Sequence, residues 1–434
     1  MHYKIRKTLN KEREILNVQL KHGFDFDLLP TQFQANGEYK AATTVGIVGR
    51  DFPGTRFDLL VKDGDQVLAG QAVMRDRHHH DILFTTPVNG RVIKIERGRR
   101  RSLVSLVIMN DGTTDPIEFA IPDSSSSSEV RQQMLQSGIW TSFKTRPFGH
   151  IPSPDGNPDS LLVNAIDTRP WAPDAATIIG AYSAEFEAGL RALENAFPSA
   201  KYLCSSEESA FEFDPGEFKI AKFSGGHPAG LSGFHINALC PLGMDQRQAW
   251  TIGYQEVISL GHLMLSGIPW HHRVVSLGGE SVTNPRLVTV PLGASINELI
   301  EGEYSEGSHQ VFSGSSLDGH EVQNEFDYLG RCDYQVCITQ KQPGITRTGS
   351  IGTFIPTTDL DLVSPPGVLA TPFLRALLVG DVDRVVALGG LELVEEDLAL
   401  LSECCISGAN YGSLLREMLE QIHSEAIPAS RNQN

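Results

Sequence analysis

Apolar positions recur along this chain with two periods, and the switch between them divides it. Between Thr43 and Asn110, short β-branched runs alternate with polar residues. They are broken by Asp63-Gly64 and Asn89-Gly90, dipeptides that accept the backbone angles of tight turns. Val61 to Val73 and Phe84 to Ile95 read as two strand–turn–strand halves, and Ser102 to Ile108 closes the second with a partly alternating strand. From about residue 160 the period lengthens. Leu161-Leu162-Val163 predicts a buried strand, and Phe186, Leu190, Leu193 and Phe197 then share one face of a helix stopped by Pro198. Lys201 to Cys204 predicts a second strand, and Phe218 to Phe223 a third that runs into a glycine-rich loop. Trp250, Tyr254, Val257, Ile258 and Leu265 predict a further helix ending near Gly267. Arg273 to Leu277, Arg286 to Val290, Gln310 to Ser313 and Tyr334 to Thr339 read as strands, with Ser295 and Glu298 placed as a capping box for a short helix among them. Beyond Pro365 the pattern is helical, with apolar faces at Phe373 and Leu377 and at Leu398 and Leu401. The first 40 residues are polar and irregular, with one short helix expected around Lys11 to Val18.

These patterns predict a multidomain chain mixing α+β and α/β parts. An N-terminal segment (1–42) precedes a barrel-sandwich module (43–122) and a Rossmann-like α/β domain (129–270). A β-grasp, SLBB-like domain (271–345) and a helical C-terminal region (346–434) follow. The serine tract Ser124 to Ser128 reads as a flexible boundary or as the cap of the next helix. The barrel module resembles a biotinyl/lipoyl-type domain. Such a domain carries a lysine on the hairpin between its halves, whereas this hairpin runs from Met74 to Asp81 without one. A structural or docking role is therefore expected rather than a carrier's.

Composition narrows the class. No apolar run is long enough to cross a bilayer, and the best, Val368 to Val379, is interrupted by Pro372 and Arg375. The opening residues are charged and lack the apolar stretch of a secretory signal. Six cysteines without iron–sulfur or zinc spacing read as reduced cytoplasmic thiols. A net charge of −17 argues against general affinity for nucleic acid or for anionic lipid.

Four features carry candidate chemistry. The loop Ser224-Gly225-Gly226-His227-Pro228-Ala229-Gly230 follows a strand and has two readings. It presents backbone amides to a ligand, or it is a tight turn that lets backbone pack against a neighbouring segment. It does not spell a dinucleotide fingerprint. His78, His79 and His80 invite a metal reading, but at most two of the three would converge on one ion. Arg97, Arg99, Arg100 and Arg101 form a basic run in an acidic protein, either a solvated hairpin or a docking patch. Leu391 to Leu401 and Tyr411 to Ile422 are amphipathic, suited to a core or to a partner's surface.

Longer motifs point to a family. They are Gly138-Ile-Trp-Thr-Ser-Phe-Lys-Thr-Arg-Pro147, Asn164-Ala-Ile-Asp-Thr-Arg-Pro170, His227-Pro-Ala-Gly-Leu-Ser-Gly-Phe-His-Ile236, Asn284-Pro-Arg-Leu-Val288, Ser313-Gly-Ser-Ser-Leu-Asp-Gly319 and Leu391-Glu-Leu-Val-Glu-Glu-Asp-Leu-Ala-Leu400. In content and order, from about residue 45 to 420, the chain resembles the NqrA family of the sodium-translocating NADH:quinone reductases (Na(+)-NQR). The resemblance implies a peripheral component on the cytoplasmic face of a six-subunit bacterial inner-membrane complex. Its partners would be membrane subunits, foremost the B subunit, and it would itself have no transmembrane span. It also implies non-covalent ubiquinone as the ligand, with no flavin or iron–sulfur cluster in this chain. The candidate quinone-side residues are Gly225, Gly226, His227, Pro228, Gly230 and His235. The two histidines would donate hydrogen bonds to quinone oxygens. Two departures stand out: the opening Lys7-Thr8-Leu9-Asn10 differs from the family's usual start, and Leu401 replaces the first of a cysteine pair whose second member is Cys405.

Overall fold

The computed structural model describes residues 3–10, 13–27, 37–99, 102–122, 126–243, 247–323, 327–341 and 353–426. Its largest element is a seven-stranded sheet in the order Tyr3–Asn10, Arg13–Leu20, Lys219–Ser224, Ala200–Ser206, Ser160–Ala165, Ala249–Gly253, Lys144–Arg146. Neighbours from Arg13–Leu20 to Ala249–Gly253 pair in parallel, and only the two edge strands pair antiparallel. Parallel strands covered on both faces are apolar throughout. Leu161, Leu162 and Val163 are accordingly buried on either side of the sheet. The helix Ser183–Ala196 buries Phe186, Leu190 and Leu193 and packs on the helix Tyr254–Ser266. Trp250 lies on the strand before that second helix, because Trp250-Thr251-Ile252 is a β-favouring run closed by Gly253. Leu265, expected on the apolar face, is 56% exposed.

The N-terminus differs most from its sequence reading. The structure has no helix at Lys11 to Val18 among the described residues. Tyr3–Asn10 and Arg13–Leu20 form an antiparallel hairpin whose second strand pairs with Lys219–Ser224, Val18 opposite Phe223. Leu16, Val18 and Leu20 alternate, and that period of two places them on the sheet's apolar side. Glu38–Tyr39 then joins a different sheet.

The barrel module pairs a four-stranded sheet (Thr44–Val48, Leu103–Asn110, Gly90–Arg97, Gln66–Val67) with a three-stranded one (Phe57–Leu59, Ala72–Asp76, Leu83–Thr85). Phe52, Phe57 and Phe84 meet edge-on inside it. His78, His79 and His80 sit in an exposed turn rather than on a strand, where the amides of His78 and His79 donate to the Asp76 carboxylate. No metal-holding cluster occurs among the described residues. Arg97 and Arg99 are exposed, while Arg100 and Arg101 lie outside the described residues. Of the serine tract, Ser126 caps the helix Ser127–Gln136 by accepting from the Glu129 amide. Ser124 and Ser125 are outside the described residues.

A six-stranded sheet follows, ordered His320–Glu321, His309–Ser313, Gln335–Gln340, His272–Gly278, Arg286–Pro291, Glu38–Tyr39. Ser295 precedes its helix Ile296–Ile300 but makes no side-chain cap. Glu298 reaches the barrel instead, accepting from the Thr43 amide at 2.6 Å and the Thr44 hydroxyl at 2.8 Å. The capping pattern therefore yields to an interdomain contact. The C-terminal region is helical from Thr358 to Ala426 with its own core. Leu398, Leu401, Tyr411, Leu415 and Leu419 are buried there, so the amphipathic faces of its last helices are core faces.

Candidate functional site

The glycine loop leaves the carboxyl end of Lys219–Ser224, the edge of a parallel sheet where ligand sites are commonly built. The N-terminal segment fills that edge. Phe24 and His227 exchange backbone hydrogen bonds, the His227 amide donating to Phe24 O at 2.7 Å and the Phe24 amide to His227 O at 2.9 Å. Gly226 makes this approach feasible, since a Cβ there would lie 2.5 Å from the Phe24 carbonyl oxygen. Gly225 adopts φ +105° against Leu20. The Gly230 amide donates to Thr168 Oγ1 at 3.0 Å, and its carbonyl accepts from Asn164 Nδ2 at 3.0 Å. The loop's geometry is thus that of a turn packed against neighbouring backbone.

Both histidines face inward. His227 Nδ1 lies 3.2 Å from Thr168 Oγ1, and its ring meets Phe26 edge-on. His235, on the helix Ser232–Leu239, donates from Nε2 to Ala229 O at 2.8 Å and stacks on Phe223, with 4.1 Å between centroids. Burial pushes both imidazoles down to about 4, and the Arg169 charge adds to the effect at His227. Each is therefore neutral at physiological pH, a hydrogen-bonding group and not a stored proton.

Behind the loop lies an ionic junction. Arg169 Nε donates to Asp318 at 2.7 Å, Nη1 to Asp167 at 3.2 Å and Nη2 to Glu396 at 2.6 Å. Glu396 also accepts from the fully buried Arg146 at 3.2 Å, and Asp397 lies 3.8 Å from the same guanidinium. One arginine thus ties the seven-stranded sheet, the six-stranded sheet and the C-terminal region together. These residues sit inside motifs that the sequence singles out, but their meeting requires the fold. The detectable signal was charge embedded in otherwise apolar or small-residue segments.

A shallow cleft opens between the loop and the C-terminal region, lined among others by Pro228, Phe234, Asn237, Pro366, Glu392 and Asp397. Of the six sequence-predicted site residues, Pro228 alone is in its wall. Glu392 is fixed by Asn237 Nδ2 at 3.1 Å and the Leu242 amide at 2.9 Å. Gly233 stands where a Cβ would lie 2.2 Å from Asp397 Oδ1, so the helix and this carboxylate pack without intervening side chain. Burial raises the Asp397 carboxyl well above its ordinary value, Arg146 opposes the shift and Glu396 reinforces it. The wall therefore offers a carboxyl that holds a proton far more readily than a free aspartate does.

That shift has a sign. A raised folded-state value penalises the ionised form in the fold, fully above that value and not at all below the unfolded value of 3.8. Asp397→Asn is accordingly expected to be more stable than the parent near pH ~8, with the advantage shrinking toward pH ~4. Thermal melts across that range check it. A deficit that is largest at the alkaline end would contradict it.

Three family models match the chain in order. They are the NqrA N-terminal barrel-sandwich hybrid domain over residues 18–111, the NqrA second alpha/beta domain over 125–268 and the NQRA C-terminal domain over 274–324. The series barrel-sandwich, α/β and SLBB-like domain defines the class of protein. The A subunit of the Na(+)-translocating NADH-quinone reductase from Actinobacillus pleuropneumoniae serotype 5b is 36% identical, covering 94% of this chain and 100% of the relative. Its counterpart from Neisseria gonorrhoeae is 36% identical and that from Haemophilus influenzae Rd 35%, with the same coverage. This chain belongs to the NqrA family, the A subunits of Na(+)-translocating NADH-quinone reductases. A solved NAD+-reducing [NiFe]-hydrogenase chain aligns at TM-score 0.39 and 12% identity over 70% of this chain and 62% of its own, too distant to bear on the site. No helix among the described residues is long and apolar enough to cross a membrane.

Proposed function

We propose that this chain is the peripheral NqrA component of a sodium-motive NADH:ubiquinone reductase, placed at the quinone-reducing end of electron transfer. It docks on membrane subunits, foremost the B subunit, on the cytoplasmic face of the bacterial inner membrane. The observation that carries this reading is similarity across 94% of the chain to the whole length of its NqrA relatives. We read the parallel-centred sheet as a Rossmann-like domain and the six-stranded sheet with its short helix as a β-grasp. Flavins and iron–sulfur centres belong to other subunits in this reading, and the chain is inactive alone.

The quinone headgroup would meet this chain in the cleft beside the glycine loop. Pro228 and Phe234 offer it an apolar wall, while Asn237 and a protonated Asp397 offer donors to a developing oxyanion. Gly225, Gly226, His227, Gly230 and His235 would hold that wall in register and would not themselves touch the ring. A photoreactive ubiquinone, activated in the intact complex, is expected to label the stretch from Pro228 to Asn237, with excess ubiquinone suppressing the label. Labelling confined to the membrane subunits would contradict the placement. It would support the second reading, a non-catalytic scaffold, which the engagement of the loop's polar groups within the fold favours.

A further inference from the structure

A second, narrow cleft lies where the barrel, the helix Tyr254–Ser266 and the six-stranded sheet meet. Its walls include His271, Arg273, Arg331, Glu256 and Ser142. Their charges do not balance. Arg273 is fully buried, donates from Nη2 to Glu256 at 2.8 Å and from Nη1 to His272 O at 2.9 Å, and leaves Nε without a partner. The second Glu256 oxygen is taken by the Tyr334 hydroxyl. Arg331 donates from Nη2 only to neutral oxygens, Gly138 O at 2.9 Å and Ser142 Oγ at 3.2 Å. Among the described residues no carboxylate lies within ion-pair distance of its guanidinium, and its Nε is also buried and unpartnered. His271 Nε2 is a third buried polar atom without a partner in the same walls.

The carboxylate in these walls, Glu256, is therefore committed to Arg273 and Tyr334, and the Arg331 guanidinium has none of its own within ion-pair distance among the described residues. Burial of an uncompensated cation is heavily penalised, and so is burial of donors without acceptors. Three such donors around one cleft are the complement of an anion. The surroundings agree. Burial pushes His271 down to about 3, and the neighbours that act most strongly on it after burial, His272, His262, Arg273 and Arg331, are all basic. The Arg331 guanidinium is likewise lowered, by burial first and then by Arg273, with Cys332, Glu256 and Asp51 acting the other way. A neutral His271 donates from Nε2 in the tautomer that carries its proton there, so the site does not depend on protonating the ring.

We propose that this cleft is a binding site for a small oxyanion, held by the charge of Arg331 and by N–H groups of Arg273, Arg331 and His271. It stands apart from the quinone reading and does not rest on it. Set among three domains, a bound oxyanion would stabilise their mutual arrangement.

The full chain would be titrated with inorganic phosphate by calorimetry at constant ionic strength, with thermal melts in parallel. One saturable site is expected, with a melting temperature that rises with phosphate, as linkage requires of a ligand bound by the folded state. Arg331→Met is expected to weaken binding by about tenfold or more, the size of a lost charged hydrogen bond. Without phosphate it should melt no lower than the parent, because it deletes an uncompensated charge. Should that variant fail to fold, His271→Leu removes one donor and leaves the charges in place, and weaker binding is again expected. No saturable heat would overturn the proposal. So would equal stabilisation by chloride at matched ionic strength, or parental phosphate affinity in the foldable variant.

Discussion

Replacing Arg169 by methionine is expected to loosen the joint between the C-terminal region and the two sheets, at a cost of about 3–5 kcal/mol, the usual penalty for breaking a buried ion pair from one side. The magnitude follows from what is left behind. Asp167, Asp318 and Glu396 each lose a hydrogen bond of 3.2 Å or less, and all three carboxylates stay enclosed. Arg146 still reaches Glu396 but approaches neither Asp167 nor Asp318 within ion-pair distance among the described residues. Arg169→Lys is expected to recover only part of the loss, because a point charge cannot serve three carboxylates as a planar fork does. Limited proteolysis reads the effect, with cleavage between the six-stranded sheet and the C-terminal helices appearing in the methionine variant first. The penalty should shrink in acid as the stranded carboxylates take up protons. A methionine variant with parental proteolysis and a melting temperature within about 1 °C would show that the junction is not what holds the C-terminal region in place.

Much of this arrangement was legible in the sequence, and the parts that were not share a cause. Leu161 to Val163 and the Phe186–Leu190–Leu193 face were readable because periodicity and burial there depend on local pattern alone. The hairpin Tyr3–Asn10 and Arg13–Leu20 was missed because its charged outer positions mask a period of two, and its reason to be a strand is the distant edge of Lys219–Ser224. Glu298 spelled a capping box, yet the Thr43 amide and Thr44 hydroxyl claimed its carboxylate. The glycine loop was conspicuous, but whether its amides were free turned on Phe24, some two hundred residues earlier. Arg146, Arg169, Asp318 and Glu396 were each visible inside a motif, and only the fold brings them to one point.

The second large effect concerns the complex as a whole. Deleting this chain should leave the early part of electron transfer intact if it acts at the quinone end, since the carriers between NADH and quinone would lie in other subunits. In membranes from cells lacking the chain, NADH oxidation by an artificial acceptor should continue while sodium-stimulated quinone reduction falls to background. Re-expression of the full chain should restore it. A scaffold needed for the whole assembly would instead depress both activities together.

Comparing the two activities in the same membranes is therefore the most direct test of a role at the quinone end. Without this chain, NADH oxidation by the artificial acceptor is expected to persist and sodium-stimulated ubiquinone reduction to be lost. Ubiquinone reduction at the parental rate in its absence would contradict that role.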